Sequence, residues 1–194
     1  NVQRIYERTV LKRSAISCLC TLYPVQLQME RDAMHIVMVE PEIPGNTGNI
    51  SRLCAANHIT LHLVKPLGFS LEDRYLKRAG LDYWDLLRLE VHENFAALQM
   101  KYPDNRYFYL TTKAERCYAD IAFLPDDMLV FGKETKGLPE ELLKANREHC
   151  FRIPMIDEAR SLNLSNAVAV VSYEALRQLD FPDLAKSGRG IENL

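Results

Sequence analysis

The chain has 194 residues, of which 47% are apolar and 26% carry a charge, which is typical of a globular protein with a buried core. The formal net charge of −2 argues against a strongly basic nucleic-acid binder, although a local basic cluster is compatible with it. No run of about 18 apolar residues occurs, so we predict no membrane span. The five cysteines form no CxxC pair and have no histidine at a zinc-ligand spacing, which predicts a reduced, cytoplasmic protein without a metal site.

The beginning of the chain differs from the rest. Residues 1–33 show no sustained hydrophobic period, whereas a regular pattern starts at Met34. We therefore predict that Met34 is the natural start and that residues 1–33 are an extension outside the fold. Residues 34–181 are predicted to form a single domain, followed by a frayed C-terminal tail at 182–194.

From Met34 onward, short β-branched or aromatic runs alternate with longer amphipathic stretches, a pattern typical of α/β proteins with a mostly parallel sheet flanked by helices. The predicted strands are 34–40, 59–65, 85–91, 106–112, 127–132 and 151–154. The predicted helices are 46–58, 71–79, 94–102, 138–149 and 163–179. Asn46 or Thr47 is the expected cap of the first helix, because a side-chain oxygen there would satisfy an unpaired N–H group.

Three polar loops each follow a predicted strand, at 44–52, 131–139 and 153–166. In open α/β sheets ligands gather at the carboxyl ends of the strands, so we expect these loops to converge on one binding site. None of them has the GxGxxG or GxxxxGK[ST] spacing, which disfavours a dinucleotide-binding dehydrogenase and a P-loop protein. The histidines sit mostly within predicted strands or at helix ends, where a structural role is the commoner one.

The three loops resemble the motifs of a known superfamily. The segments NTGNISRLCAANH, LVFGKETKGLP and IPMIDEARSLNLSNAVAVVSYE are similar to the three motifs of the SPOUT methyltransferases, in the same order and over about 34–181. The segments EPEIPGNTGN, RAGLDYW and YLTTKA further resemble the bacterial branch that methylates the ribose 2′-hydroxyl of the tRNA wobble cytidine or uridine. The resemblance implies a deep C-terminal trefoil knot, a homodimer, tRNA as partner, and S-adenosylmethionine converted to S-adenosylhomocysteine.

The resemblance also implies roles for individual residues. Cofactor contacts carry over to Leu110, Gly132, Ile153 and Ser161. A catalytic role carries over to Arg52. Glu134, in the charged loop after Gly132, is a further catalytic candidate, expected either to orient Arg52 through an ion pair or to help hold the sulfonium end of the cofactor. Since a guanidinium stays protonated at neutral pH, we interpret Arg52 as a phosphate clamp and leave the general base open.

The RNA-binding surface is predicted from the distribution of basic side chains. Arg74, Lys77 and Arg78 follow helical spacing on one face, and the other candidates are Asn46, Arg152 and Arg160. The motifs specify the cofactor rather than the target, so two alternatives stay open. One is a 2′-O-methyltransferase of ribosomal or other RNA, and the other is a knotted RNA-binding module without catalytic activity.

Overall fold

The computed structural model describes residues 34–71, 85–188 and 190. The predicted extension at 1–33 therefore lies outside the described residues, and Met34 as the natural start stays a prediction. All but the first residue of the predicted helix 71–79 also lies outside them. This includes the basic residues Arg74, Lys77 and Arg78.

The described residues form a seven-stranded sheet in which every strand pair is parallel. The strands are β1 His35–Val39, β2 Thr60–Val64, β3 Arg88–His92, β4 Tyr107–Leu110, β5 Arg116–Cys117, β6 Met128–Phe131 and β7 Cys150–Arg152. Their order across the sheet is β3-β2-β1-β6-β4-β7-β5. The predicted α/β class with a parallel sheet is confirmed, whereas the knot stays a prediction.

Helices cover both faces of the sheet, which explains why β1, β2 and β6 are buried along their whole length. On one face, α1 (Pro44–Ala56) and α4 (Leu164–Gln178) contribute Ile50 and Val168 to a cluster with the side chains of Ile36 and Leu61. On the other face, α2 (Phe95–Lys101) and α3 (Glu140–Ala145) pack against a second cluster around Val37 and Tyr109. Alternate residues of β1 thus face opposite layers of helices.

The long predicted elements are found, while several of their ends differ. Helix α1 begins at Pro44 and not at 46, because a proline at the first helical position loses no hydrogen bond. The predicted helix 138–149 is wrong in its second half, where α3 ends at Ala145 and a 3₁₀ turn occupies Arg147–His149. The Asn146 side chain donates to the carbonyl of Leu142 at the point where α3 stops.

Strand β5 was not predicted, since two residues carry no measurable periodicity. Part of the predicted tail is packed, because Leu184 contacts the first core cluster and its N–H donates to the carbonyl of Phe181. Fraying is therefore the wrong description for that part of the tail. Among the described helices, none has the length and apolar character needed to cross a membrane.

Candidate active site

The strands β1, β6, β4 and β7 are neighbours in the sheet, so their carboxyl ends open on the same edge. A cavity of about 550 Å³ lies there and is lined by parts of 110–113, 131–138 and 153–167, together with Ile43 and Asn46. This volume lies within the roughly 300–1,000 Å³ typical of small-molecule sites. The three polar loops thus converge as predicted from their positions after strands.

The four predicted cofactor residues, Leu110, Gly132, Ile153 and Ser161, all line this cavity. Gly132 is the most constrained of them. A Cβ atom at this position would clash with the backbone of Gly137 and Leu138, which turns back against it. The turn is closed by a hydrogen bond from the N–H of Gly137, at φ 70°, to the carbonyl of Lys133. Only glycine fits at position 132 without moving this loop.

Glu134 connects the loop after β6 to the start of α1. Its carboxylate accepts hydrogen bonds from the N–H of Glu42 at 2.8 Å and from that of Ile43 at 3.3 Å. Ile43 is the N-cap residue of α1 and its side chain supplies no cap, so Glu134 satisfies donors that would otherwise be unpaired. A negative charge is also favourable at a helix N-terminus. The predicted capping by Asn46 or Thr47 is therefore wrong, because the cap comes from a distant carboxylate.

Two further contacts connect the same loop to the segment after β1. The Thr135 hydroxyl donates to Glu42 Oε2 at 2.7 Å, and Lys133 Nζ lies 2.7 Å from Glu40 Oε2. The hydrogen bond to Glu40 raises the pKa of Lys133 and keeps its ammonium charged. Ion pairs and hydrogen bonds between this loop and the segment after β1 thus fix the loop at the cavity.

An amide network connects this loop to the third loop. Asn46 Nδ2 donates to Glu134 Oε1 at 3.0 Å, and Asn46 Oδ1 accepts from Asn163 Nδ2 at 3.0 Å. A carboxylate only accepts, so Glu134 fixes which side of the Asn46 amide faces it, and this in turn orients Asn163. Asn163 Oδ1 is left to accept from the N–H groups of Ser165 and Asn166, which makes Asn163 the N-cap of α4.

The other predicted site residues have varied positions. Arg160 lines the cavity, and its side chain is exposed. Arg52 is exposed on α1 and does not line the cavity. Asn46 is only 7% exposed and both ends of its amide are hydrogen-bonded, which gives it a bridging position and not one on an RNA-binding surface. Arg152 is half-buried on β7, and its buried Nε makes no hydrogen bond among the described residues.

Several cavity residues were not predicted. Thr111, Thr112 and Lys113 line it immediately after β4, and Leu138, Met155 and Leu164 add apolar surface. The signal for the first group was partly present, since residues 111–113 lie at the carboxyl end of the predicted strand 106–112, which in the structure ends at Leu110. The apolar residues had no such signal, because a lining leucine or methionine has the same pattern as a core residue.

The chain belongs to the SpoU methylase family. Residues 33–173, which are most of the chain, match the family described as "SpoU rRNA Methylase family". A tRNA (cytidine(34)-2′-O)-methyltransferase from Methylovorus glucosotrophus is 56% identical over 147 residues, which cover 75% of this chain and 96% of that protein.

Solved structures agree with this assignment. One from work on the 2-OH methylation of C/U34 on tRNA is 45% identical with a TM-score of 0.73, covering 77% of this chain and 97% of that one. A SpoU methyltransferase from Streptomyces viridochromogenes in complex with AdoMet shares the fold at 22% identity and a TM-score of 0.70, covering 77% of this chain and 62% of that one.

Proposed function

We propose that this chain transfers a methyl group from S-adenosylmethionine to the ribose 2′-hydroxyl of the cytidine or uridine at position 34 of tRNA. The observation that carries this proposal is the convergence of the three motif loops on one cavity at the carboxyl ends of the strands. Membership of the SpoU methylase family and 56% identity to a tRNA (cytidine(34)-2′-O)-methyltransferase support the reaction and the target nucleotide. We further propose that the enzyme works in the cytoplasm as a homodimer.

The residues around the cavity fit the cofactor. Its walls combine apolar side chains, such as Leu138 and Ile153, with backbone groups of the loops after β4, β6 and β7. Such backbone donors and acceptors recognise an adenine with little loss of entropy when they are held on rigid loops. The bound cofactor would supply the electrophilic methyl group. Leu110, Gly132, Ile153 and Ser161 are proposed to hold it.

The proposed contribution of the protein is positioning. Holding the 2′-oxygen in line with the methyl group removes much of the entropic barrier of a two-reactant displacement. Glu134 does not act on the substrate in this proposal, because its carboxylate is engaged by the start of α1 and by Asn46. It is a positioning residue that aligns the first and second motif loops around the cavity.

Arg52 is proposed to clamp the phosphate beside the target ribose. A guanidinium offers several donors in a planar fork, which matches the oxygens of a phosphate group. Arg160 at the cavity and Arg152 on β7 are further proposed RNA contacts among the described residues. Arg74, Lys77 and Arg78 keep their sequence-based assignment as RNA contacts. Asn46 is withdrawn from this set because of its bridging position.

The proposed homodimer is supported by two exposed helical stripes. On α4, every third or fourth residue is exposed, and the two central ones, Val170 and Tyr173, are 39% and 48% exposed although apolar or aromatic. On α1 the corresponding exposed stripe includes Asn49, Arg52 and Ala56. Exposed apolar side chains on helices that pack against each other are typical of a subunit interface. Arg52 belongs to the α1 stripe and does not line the cavity of its own chain.

The test uses the purified full chain with isotopically labelled S-adenosylmethionine and, in parallel, tRNA and ribosomal RNA from the same cells. Mass spectrometry of nuclease digests then locates the methylated nucleotide. We expect a 2′-O-methyl group at position 34 of a subset of tRNAs and none in ribosomal RNA. Methylation of ribosomal RNA alone would contradict the tRNA assignment. Cofactor binding without methylation of either RNA would favour the binding-module alternative.

A further inference from the structure

Three histidines and one glutamate lie together on the sheet face that carries α2, away from the cavity. His62 is completely buried, and His35 and His92 are 8% and 7% exposed. They form a chain in which His35 Nδ1 lies 2.8 Å from His62 Nε2, and His62 Nδ1 lies 3.0 Å from His92 Nε2. Glu90 completes the group. None of these residues takes part in the proposed methyl transfer.

Their close approach follows from the strand register. His62 on β2 pairs with Glu90 on β3, and His92 is two residues further along the same strand. Since side chains alternate between faces, Glu90 and His92 both point to the face on which His62 lies. Parallel pairing thus brings together three potential metal ligands from two adjacent strands.

The three inner atoms have the spacing of ligands around one metal ion. His62 Nδ1 lies 3.0 Å from His92 Nε2, and Glu90 Oε2 lies 3.5 Å and 3.4 Å from these two nitrogens. At metal–ligand distances of about 2.0–2.2 Å, two ligand atoms of a tetrahedral ion lie roughly 3.3–3.6 Å apart. These three atoms, which we call the ligand triangle, therefore need only small shifts to hold an ion once the proton shared in the hydrogen bond between the two nitrogens has moved to another ring nitrogen, so that both can offer a lone pair.

The ligand residues are held from behind by hydrogen bonds to neighbouring side chains. His62 Nε2 is hydrogen-bonded to His35 Nδ1, so a proton on Nε2 leaves the lone pair of Nδ1 directed into the triangle. The second carboxylate oxygen of Glu90 accepts the hydroxyl proton of Tyr102 at 2.8 Å. Such outer hydrogen bonds fix the tautomer and orientation of metal ligands.

One charged side chain, Lys101, competes with a metal ion for the carboxylate of Glu90. Lys101 Nζ lies 2.8 Å from Glu90 Oε2, so it neutralises the carboxylate when no metal is bound. The side chain of Lys101 is 56% exposed and has room to move into solvent.

We propose that His62, Glu90 and His92 form a binding site for a divalent transition metal ion of the zinc type. Two imidazoles and one carboxylate are a donor set that zinc accepts, with solvent in the remaining position. The ion would connect β2 to β3, which is the outermost described strand at its end of the sheet. This proposal differs from our sequence-based expectation of a protein without a metal site.

The experiment titrates the tag-free full chain, previously treated with chelator, with Co²⁺ and follows the visible ligand-field absorption, and then adds Zn²⁺ in competition. We expect saturation at one equivalent of Co²⁺ and loss of the signal when Zn²⁺ is added. Glu90→Gln and His92→Ala should weaken binding at least tenfold, whereas His149→Ala, at an exposed histidine outside the cluster, should leave it unchanged.

The substitution Lys101→Met is expected to change the affinity for Co²⁺ in the opposite direction to Glu90→Gln and His92→Ala. It removes the competing ammonium group and should tighten Co²⁺ binding severalfold, which a general loss of folding would not do. Circular dichroism confirms that each variant is folded. The proposal is overturned by an absence of saturable absorption, by equal binding of Glu90→Gln and the unmodified chain, or by a thiolate charge-transfer band that indicates cysteine ligands.

Discussion

Gly132 is the residue at which backbone geometry most strictly limits the side chain. Its hydrogen faces the backbone of Gly137 and Leu138, and the loop that they form lines the cavity. We expect Gly132→Ala to destabilise the protein by about 1–3 kcal/mol, since an inserted methyl group forces the loop outward. Cofactor affinity should fall as well. Thermal unfolding and calorimetric titration with S-adenosylhomocysteine measure the two effects.

Gly45→Ala is the matched control for this substitution. Gly45 lies in the first turn of α1, and a Cβ atom added there would have nothing within 4 Å. We expect unchanged affinity and a stability that is equal or slightly higher, because alanine is the better helix former. Equal behaviour of the two variants would contradict the steric argument.

Arg52→Lys separates charge from geometry at the proposed phosphate clamp. Lysine keeps the positive charge but loses the planar fork, so we expect kcat/KM for tRNA to fall roughly 10- to 100-fold while cofactor binding is retained. Arg147→Lys is the control, since this arginine side chain is 78% exposed and pairs with Glu115 on the surface. Near-complete turnover by Arg52→Lys would refute the clamp.

Among the secondary-structure elements, the N-termini of two helices fix the geometry of the site. The N-termini of α1 and α4 are joined through Glu134, Asn46 and Asn163, so each helix is capped by a group that also fixes the cavity. The apolar side of helix α4 is buried in the core. This packing fixes the N-terminus of the helix, where Asn163 joins the hydrogen-bond network. Stability and ligand binding therefore share these side chains.

Substitutions at Asn163 separate these two functions. Asn163→Asp keeps an oxygen that caps α4 but loses the amide donor to Asn46 Oδ1, so stability should change little while cofactor affinity falls by about five- to tenfold. Asn163→Ala loses both interactions and should also cost about 1 kcal/mol of stability. Urea unfolding and cofactor titration distinguish the variants. Cofactor binding by the aspartate variant at the original affinity would show that the bridge is dispensable.

At the scale of the whole molecule, the two faces of the sheet have different roles. One face carries α1 and α4, with the exposed stripes of the proposed dimer, and the other carries α2 and the ligand triangle. The cavity lies at the carboxyl edge between them. The proposed cofactor, dimer and metal sites thus lie on different parts of the described fold and are open to separate tests.

Tyr173→Glu tests the association of two chains. A carboxylate in the centre of the α4 stripe would be buried without a partner in a dimer, so we expect a monomer with much weaker tRNA methylation. Light scattering coupled to size-exclusion chromatography measures the mass. Met100→Glu is the control, because Met100 is 77% exposed on α2 at the opposite face. A monomeric unmodified chain, or an unchanged mass for Tyr173→Glu, would rule out this interface.

The long periodic elements were predictable because their pattern is local. Strands β1, β2 and β6 and helix α4 follow directly from runs of apolar residues at the expected spacing. Strand β5 and the break after Ala145 depend on a few residues, and their conformation is decided by the surrounding structure. The four cofactor contacts implied by the SPOUT resemblance, Leu110, Gly132, Ile153 and Ser161, all line the cavity, and their role in cofactor binding stays a prediction.

The sequence by itself determined the α/β class, the position of the polar loops after strands, and the motifs that mark the SPOUT methyltransferases. Only the tertiary structure decided that Glu134 caps α1 from 91 residues away, as its contact with Ile43 shows. Only the register of β2 and β3 placed His62 beside Glu90 and His92. The physical reason is that hydrophobic periodicity records the burial of each segment, whereas a hydrogen bond or a ligand set between distant segments exists only after strand order and register have been fixed.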